Sequence, residues 1–253
     1  IAMRDQQMRA MTAMTAKRYS EFIVGIKLAH YEGPDWEPVE KAVQAGELAD
    51  IPVMIDFGGS KPALSLETLF MEKLRPGDIY THAYAALRSR GRVVNSEGKV
   101  ESYAFAAQKR GIVFDVGHGG GSFSFEQAIP AMEQGFKPNS ISTDLHIGSM
   151  NGGMKDILNI MSKFLNMNMP LAEVIETVTW NPAKYIKRTD LGHLSVGAVA
   201  DIAILKRNTG KFGFVDVRGM KIMGDQKLEC ELTVKEGEIV YDLNGLSRSE
   251  WQK

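Results

Sequence analysis

The sequence predicts an α/β fold: about five βα units of a partial (β/α) barrel over residues 1–187, then a small β module over 188–253. Three observations predict it. Short apolar runs rich in β-branched residues recur at Phe22–Lys27, Val53–Phe57, Asp78–His82, Ile112–Val116 and Ser140–Asp144. They are too short for helices and read as buried parallel strands. Helical stretches separate them, so each strand returns in the same direction and their C-terminal ends gather on one face. From Gly192 onward the alternation stops and only strand-like pieces follow. A closed barrel of this kind needs eight strands, so five leave open edges, which predict instability or homo-oligomerisation.

The elements follow in order. Met3–Arg18 reads as a helix with no cap before it. After the first strand comes a loop with His30, Tyr31, Gly33, Pro34 and Trp36, then a helix over Glu37–Ala49. Strand Val53–Phe57 runs through Gly58, Gly59 and Pro62 into a helix near Leu64–Leu74, which Pro76-Gly77 ends before strand Asp78–His82. Residues 88–98, with Arg88, Arg90 and Arg92, read as an exposed basic loop or hairpin. A helix near Val100–Arg110 ends at Gly111, a residue suited to the left-handed C-terminal position. Strand Ile112–Val116 enters Gly117-His118-Gly119-Gly120-Gly121, and a helix follows over Phe125–Gln134. Strand Ser140–Asp144 precedes helices near Met154–Leu165 and Leu171–Val178. The β module contains Asp201–Leu205, Phe212–Val215, Leu228–Val234 and Glu238–Tyr241, with Glu236-Gly237 as a hairpin turn.

Bulk properties narrow the function classes. The 253 residues, 44% hydrophobic and 24% charged, suit one large globular domain or a domain with an appendage. A net charge of −1 gives no electrostatic case for nucleic acid or an anionic membrane. No apolar stretch approaches the roughly 18–20 residues that span a bilayer. The lone Cys230 excludes an intrachain disulfide and a cysteine-based zinc cluster. The 14 methionines mostly sit at helical spacing and read as core packing. A chain opening with Ile1 inside an uncapped helix reads as a fragment or processed chain, so no location is assigned.

Chemistry-bearing residues sit at the strand ends. Lys27 closes an apolar run, where an ammonium must be paired, deprotonated or modified; a salt bridge to Asp56 or Asp144 is the plainest reading. His82 ends another run, as a neutral imidazole ligand or a satisfied polar group. His118 lies among glycines that allow close backbone approach to a ligand, an anion-binding nest or a flexible turn. Asp144 ends the last strand, where a carboxylate can bind a metal, cap a helix or pair with a cation. Their shared placement points to hydrolysis by a metal-activated water. No Gly-x-Gly-x-x-Gly fingerprint or Walker motif is present.

In this order the residues resemble the amidohydrolase superfamily, in particular its dihydroorotase-like amidohydrolase/deacetylase group. Val24-Gly25-Ile26-Lys27 resembles the strand bearing a carboxylated lysine, and Gly77-Asp78-Ile79-Tyr80-Thr81-His82 a later ligand strand. Phe114-Asp115-Val116-Gly117-His118-Gly119 and Ser140-Ile141-Ser142-Thr143-Asp144-Leu145-His146 resemble the last two barrel strands. Thr179-Trp180-Asn181-Pro182-Ala183 matches the turn after the barrel, and Gly192-His193-Leu194-Ser195-Val196-Gly197 with Ala200-Asp201 the entry into a β-sandwich. The likeness runs from about Ile23 to Asp242. Two departures stand out: no His-x-His pair occurs in the chain, and Asp56 stands where the family usually places a metal-binding histidine.

The resemblance implies a TIM-type barrel, a small β-sandwich module and a metal-dependent hydrolase of amide or related C–N bonds, with ester substrates as an extension. It implies one or two divalent ions, zinc foremost. Lys27, carboxylated, would bridge them; His82, Asp144 and Asp56 would complete the set, and Asp144 would act as general acid/base. His118, His146, Tyr31 and Tyr84 would contact a small-molecule substrate. Two alternatives stay open: a catalytically incomplete fragment, and a barrel-derived binding protein with Lys27 an ordinary ammonium.

Overall fold

The computed structural model describes residues 2–57, 63–87 and 90–252, with side chains from Arg9 onward except at Phe57. The elements are α1 (Ala2–Arg18), β1 (Ile26–Tyr31), α2 (Glu37–Ala49), β2 (Val53–Phe57) and α3 (Leu66–Thr68), which widens into a π turn over Leu69–Lys73. Then come β3 (Ile79–Tyr80), α4 (Ser102–Arg110), β4 (Val113–Phe114), α5 (Phe125–Glu133), α6 (Ile157–Asn166), α7 (Leu171–Val178) and α8 (Trp180–Tyr185). Three strands close the chain: β5 (Ile202–Val215), β6 (Lys221–Lys235) and β7 (Glu238–Asp242).

Strands β1 to β4 form one parallel sheet in sequential order, with Ile26 opposite Val53, Met54 opposite Ile79 and Ile79 opposite Val113. The segment from Ser140 extends it. Asp115 and Ser140 form a parallel bridge, and the Val116 and His118 amides donate to the Ser140 and Ser142 carbonyls at 3.1 and 3.2 Å. The predicted fifth strand therefore occupies its place as an extended segment rather than as a full ladder. Helix α4 ends as expected at Gly111, whose φ of +103° admits the left-handed cap.

The first strand lies later than predicted. The Ile26 amide donates to the Pro52 carbonyl at 3.0 Å and sets the register, while Phe22 and Ile23 donate back to the Tyr19 carbonyl in a turn that prolongs α1. The run Phe22–Lys27 has strand composition, but its first half caps a helix and leaves Phe22 exposed. Lys27 is consequently the second residue of β1, not the last of a strand.

The basic stretch also differs. Arg88 lies outside the described residues, as do Gly58, Gly59 and Pro62. Arg90 is buried rather than exposed: its Nε donates to the Tyr80 hydroxyl at 2.8 Å and its Nη2 to the Thr81 carbonyl at 3.1 Å. A guanidinium tolerates this because its planar face covers the Tyr80 ring, 4.8 Å from the centroid.

The core lies between the sheet and its helices. Phe70 meets Tyr80 edge-on at 4.7 Å, and Phe114 meets Phe136 edge-on at 4.9 Å. Beyond residue 188 the described residues form one three-stranded antiparallel sheet, β5-β6-β7, where a sandwich was expected. Asp201–Leu205 and Phe212–Val215, expected as separate strands, are the two ends of β5, joined across a register shift at Thr209–Phe212. Glu236 and Gly237 both have positive φ and form the tight turn into β7. This sheet packs its buried Phe214 and Leu228 into the same core as the parallel sheet. Among the described residues, no helix is long and apolar enough to cross a membrane.

Phe114→Ala should cost about 3–5 kcal/mol, because its ring is fully buried against three aromatic neighbours. Urea denaturation followed by near-UV circular dichroism reads this directly.

Candidate metal centre

At the C-terminal end of the parallel sheet, Asp56 on β2 is 2% exposed. Its Oδ2 faces three nitrogens: His82 Nε2 at 3.2 Å, Lys27 Nζ at 3.6 Å and His30 Nδ1 at 3.7 Å. None is aligned to donate, and Oδ2 is left buried without a hydrogen-bond partner. Burial is the largest influence on this carboxyl and opposes its ionisation. A protonated His82 first, then Lys27 and Arg90, outweigh it and hold Asp56 below the usual carboxylate range.

His82 sharpens the problem. Its Nδ1 lies 2.6 Å from the Gly117 carbonyl. A carbonyl only accepts, so Nδ1 carries a proton, and whenever the ring is neutral Nε2 presents a lone pair. That lone pair faces the Asp56 carboxylate oxygen at 3.2 Å. Two acceptors in this position need a cation between them, either a second proton on His82 or a metal ion. The chemistry of the donor set fits a divalent cation, since carboxylate oxygen and imidazole nitrogen are both zinc ligands. Among the described residues, no three His, Cys, Asp or Glu side chains are gathered for a metal.

Two glycines bring the site together. Gly117 has a φ of +46°, and a Cβ there would collide with Thr81 Oγ1 and His82 Nδ1. Gly119, at φ +51°, lies beneath the Asp144 carboxylate in the same way. Asp144 is exposed and itself left-handed, at φ +47°. Below the loop, buried Asp115 accepts from the hydroxyls of Thr81, Ser140 and Ser142, each at 2.7 Å. This ties the ends of β3 and β4 to the segment leading to Asp144.

His118 is fully buried. Its ring stacks on Phe123 at 4.5 Å, its Nδ1 lies 3.0 Å from the Gly119 carbonyl, and its Nε2 lies 2.7 Å from Lys163 Nζ. Burial, then the Lys163 charge, push His118 down to about 3. Lys163, on α6, is also fully buried and donates to the Gly153 carbonyl at 2.6 Å. Burial lowers it to about 7.

An amidohydrolase family model matches residues 124–240. A deacetylase of Brucella anthropi is 42% identical over 189 residues, covering 73% of this chain and 46% of its own length. A deacetylase of Enterococcus faecalis is 32% identical over 228 residues, covering 88% of this chain and 60% of its own. The crystal structure of an adenine deaminase superposes with a TM-score of 0.84 at 28% identity, over 93% of this chain and 64% of that one. The chain belongs to the amidohydrolase superfamily. A dihydroorotase structure superposes with a TM-score of 0.77 at 28% identity, over 91% of this chain and 63% of that one. This amidohydrolase chain thus spans about half the length of its Brucella relative.

Within this superfamily frame, the site residues expected from sequence fall into two groups. Lys27, Asp56 and His82 converge, and Asp144 and His146 lie exposed on the loop beside Gly119 and Gly120. His118 and Tyr84, expected to contact substrate, both lie inside the structure. Both are fully buried, and the Tyr84 hydroxyl donates to the Phe136 carbonyl at 3.0 Å, so neither lines an open surface. Tyr31 sits at the end of β1, its hydroxyl accepting from the Asp35 amide at 3.4 Å. Sequence reasoning missed His30 beside Asp56, the three hydroxyls on Asp115, and Lys163. The Thr81, Ser140 and Ser142 positions at strand ends carried the only signal for the Asp115 network.

The Lys163 shift has a pH consequence. The unfolded chain holds its proton up to the ordinary lysine value of 10.5, while the folded chain releases it near 7. Between these values the unfolded state binds more protons, so this group makes stability rise with pH. Lys163→Met should remove that slope, and urea midpoints of the two proteins should move apart as pH falls from 10.5 to about 7.

Proposed function

We propose that the whole protein is a metal-dependent hydrolase of amide or related C–N bonds, in which Asp56, His82 and Lys27 hold a divalent cation, zinc foremost. The observation that carries this is the buried Asp56 oxygen facing the lone pair of His82 Nε2 at 3.2 Å. The named relatives support the same reaction class, being deacetylases, and the similar structures are a deaminase and a dihydroorotase.

The cation would polarise the scissile carbonyl and lower the pKa of water from 15.7 to about 7. The protein's own groups do the rest. Gly117 fixes the His82 tautomer through Nδ1, leaving Nε2 free to bind. Asp144, exposed above Gly119, would take the proton from the attacking water and pass it to the leaving nitrogen. Lys27 is 40% exposed and can be reached by carbon dioxide. As a carbamate it would set a second anion beside Asp56, an arrangement that only a bound cation makes favourable. Modification of Lys27 and metal binding are therefore coupled, and the ammonium–carboxylate pair at 3.6 Å is the metal-free alternative. The partial barrel reading belongs with this proposal: four parallel strands and the Ser140 segment supply one rim, with the site on it.

Elemental analysis tests the metal claim. The purified protein should carry near-stoichiometric divalent metal, and Asp56→Ala or His82→Ala should lose it. Asp144→Asn should keep the metal while turnover of an N-acyl substrate falls by about 100- to 10,000-fold. Metal retained in full by Asp56→Ala would remove the basis of the proposal.

A further inference from the structure

Lys163 takes no part in the cation site, yet it is a fully buried cation close to the loop that carries it. Among the described residues, its ammonium forms no ion pair with a carboxylate. Its contacts are the Gly153 carbonyl at 2.6 Å, His118 Nε2 at 2.7 Å and the Phe123 ring, 5.5 Å away at the centroid. A buried lysine without a carboxylate is costly, so its retention calls for a task that a methionine would not perform.

The task follows from donor and acceptor roles. An ammonium has three donors and no lone pair, so His118 Nε2 must accept. The imidazole proton then resides on Nδ1, which donates to the Gly119 carbonyl at 3.0 Å. Gly119 in turn donates to the Thr143 carbonyl at 2.9 Å, one residue before Asp144, and its Cα supports the Asp144 carboxylate. Two residues earlier in the same loop, the Gly117 carbonyl sets the His82 tautomer.

We propose that Lys163 is a positioning residue that fixes His118 as the Nδ1–H tautomer and so locks the Gly117–Gly119 loop on which His82 and Asp144 rest. The significance of that loop rests on the hydrolase reading; the tautomer itself does not. Removing the ammonium frees Nε2 to take the proton, after which Nδ1 repels the Gly119 carbonyl and the left-handed turn loses its inner hydrogen bond. Phe123 keeps the ring flat against the loop by stacking, so the exchange alters hydrogen bonding more than packing.

Two-bond proton–nitrogen correlation of histidine-labelled protein tests this on the acidic side of neutrality, without substrate or metal. His118→Gln identifies the His118 signals among the five histidines. The expected wild-type result is a pyrrole-like Nδ1 and an acceptor-type Nε2. In Lys163→Met the two should average or reverse, and the Gly119 amide should exchange roughly tenfold faster relative to core amides. Val174→Ala, a buried change on α7, controls for plain destabilisation: it should speed exchange broadly and leave the tautomer intact. An Nε2–H tautomer in the wild type, or an unchanged tautomer in Lys163→Met, would overturn the proposal. Because no activity is read, this outcome stands apart from success or failure of the hydrolase assignment.

Discussion

The structure depends on a carboxylate that is buried at the end of a central strand and lacks a donor for one oxygen. A side chain such as Asp56 persists in an apolar setting only when opposite charge or hydrogen bonds offset its desolvation. Without a metal the offset is divided among a protonated His82, Lys27 and Arg90, which hold it ionised although Oδ2 makes no well-formed hydrogen bond. Charge balance without hydrogen-bond saturation is what a cation-binding carboxylate requires. The same carboxylate saturated by donors, as Asp78 is by Arg75 and the Val53 amide, would serve structure alone.

The surroundings of Asp56 are organised to keep His82 in one orientation. Gly117 supplies the carbonyl for Nδ1 and the absence of a side chain that would block it. Asp115 draws in hydroxyls from three segments, and Arg90 crosses the Tyr80 ring to reach the Thr81 carbonyl. These contacts bind the ends of β3 and β4 to the Ser140 segment. The β5–β6 hairpin adds a distant brace: Asp216 at its tip accepts from the Phe125 amide, beside the Phe123 ring that supports His118. Through this contact the antiparallel sheet steadies the loop that carries the site.

Much of this was legible in the sequence, and the failures are physical. Helices α2 and α7 and strand β2 match their predicted spans, because punctuation and burial agree there. Strand β1 did not, since composition cannot tell an apolar turn from an apolar strand when the register is set by a partner, Pro52. Lys27, His82, Asp56 and Asp144 were legible as polar residues beside apolar runs, although Lys27 falls second in β1 rather than at its end. The opposition of lone pairs between His82 and Asp56 was not, because it depends on a carbonyl contributed 35 residues later. Lys163 escaped notice for a related reason. In Ile157–Asn166 it reads as the polar face of an amphipathic helix, and only the docking of His118 and Gly153 against α6 buries it. The packing of Tyr84 against Phe123 and Phe164 was equally invisible in the sequence.

The central claim is that a metal ion occupies the space between Asp56 Oδ2 and His82 Nε2. Anomalous scattering at the zinc absorption edge, from crystals grown with zinc, tests it most directly. The expected result is a strong anomalous peak bonded to both atoms, with Lys27 turned towards it. A map with no peak there, or with peaks confined to His146 and His193, would contradict it and leave His82 a protonated partner of a structural aspartate.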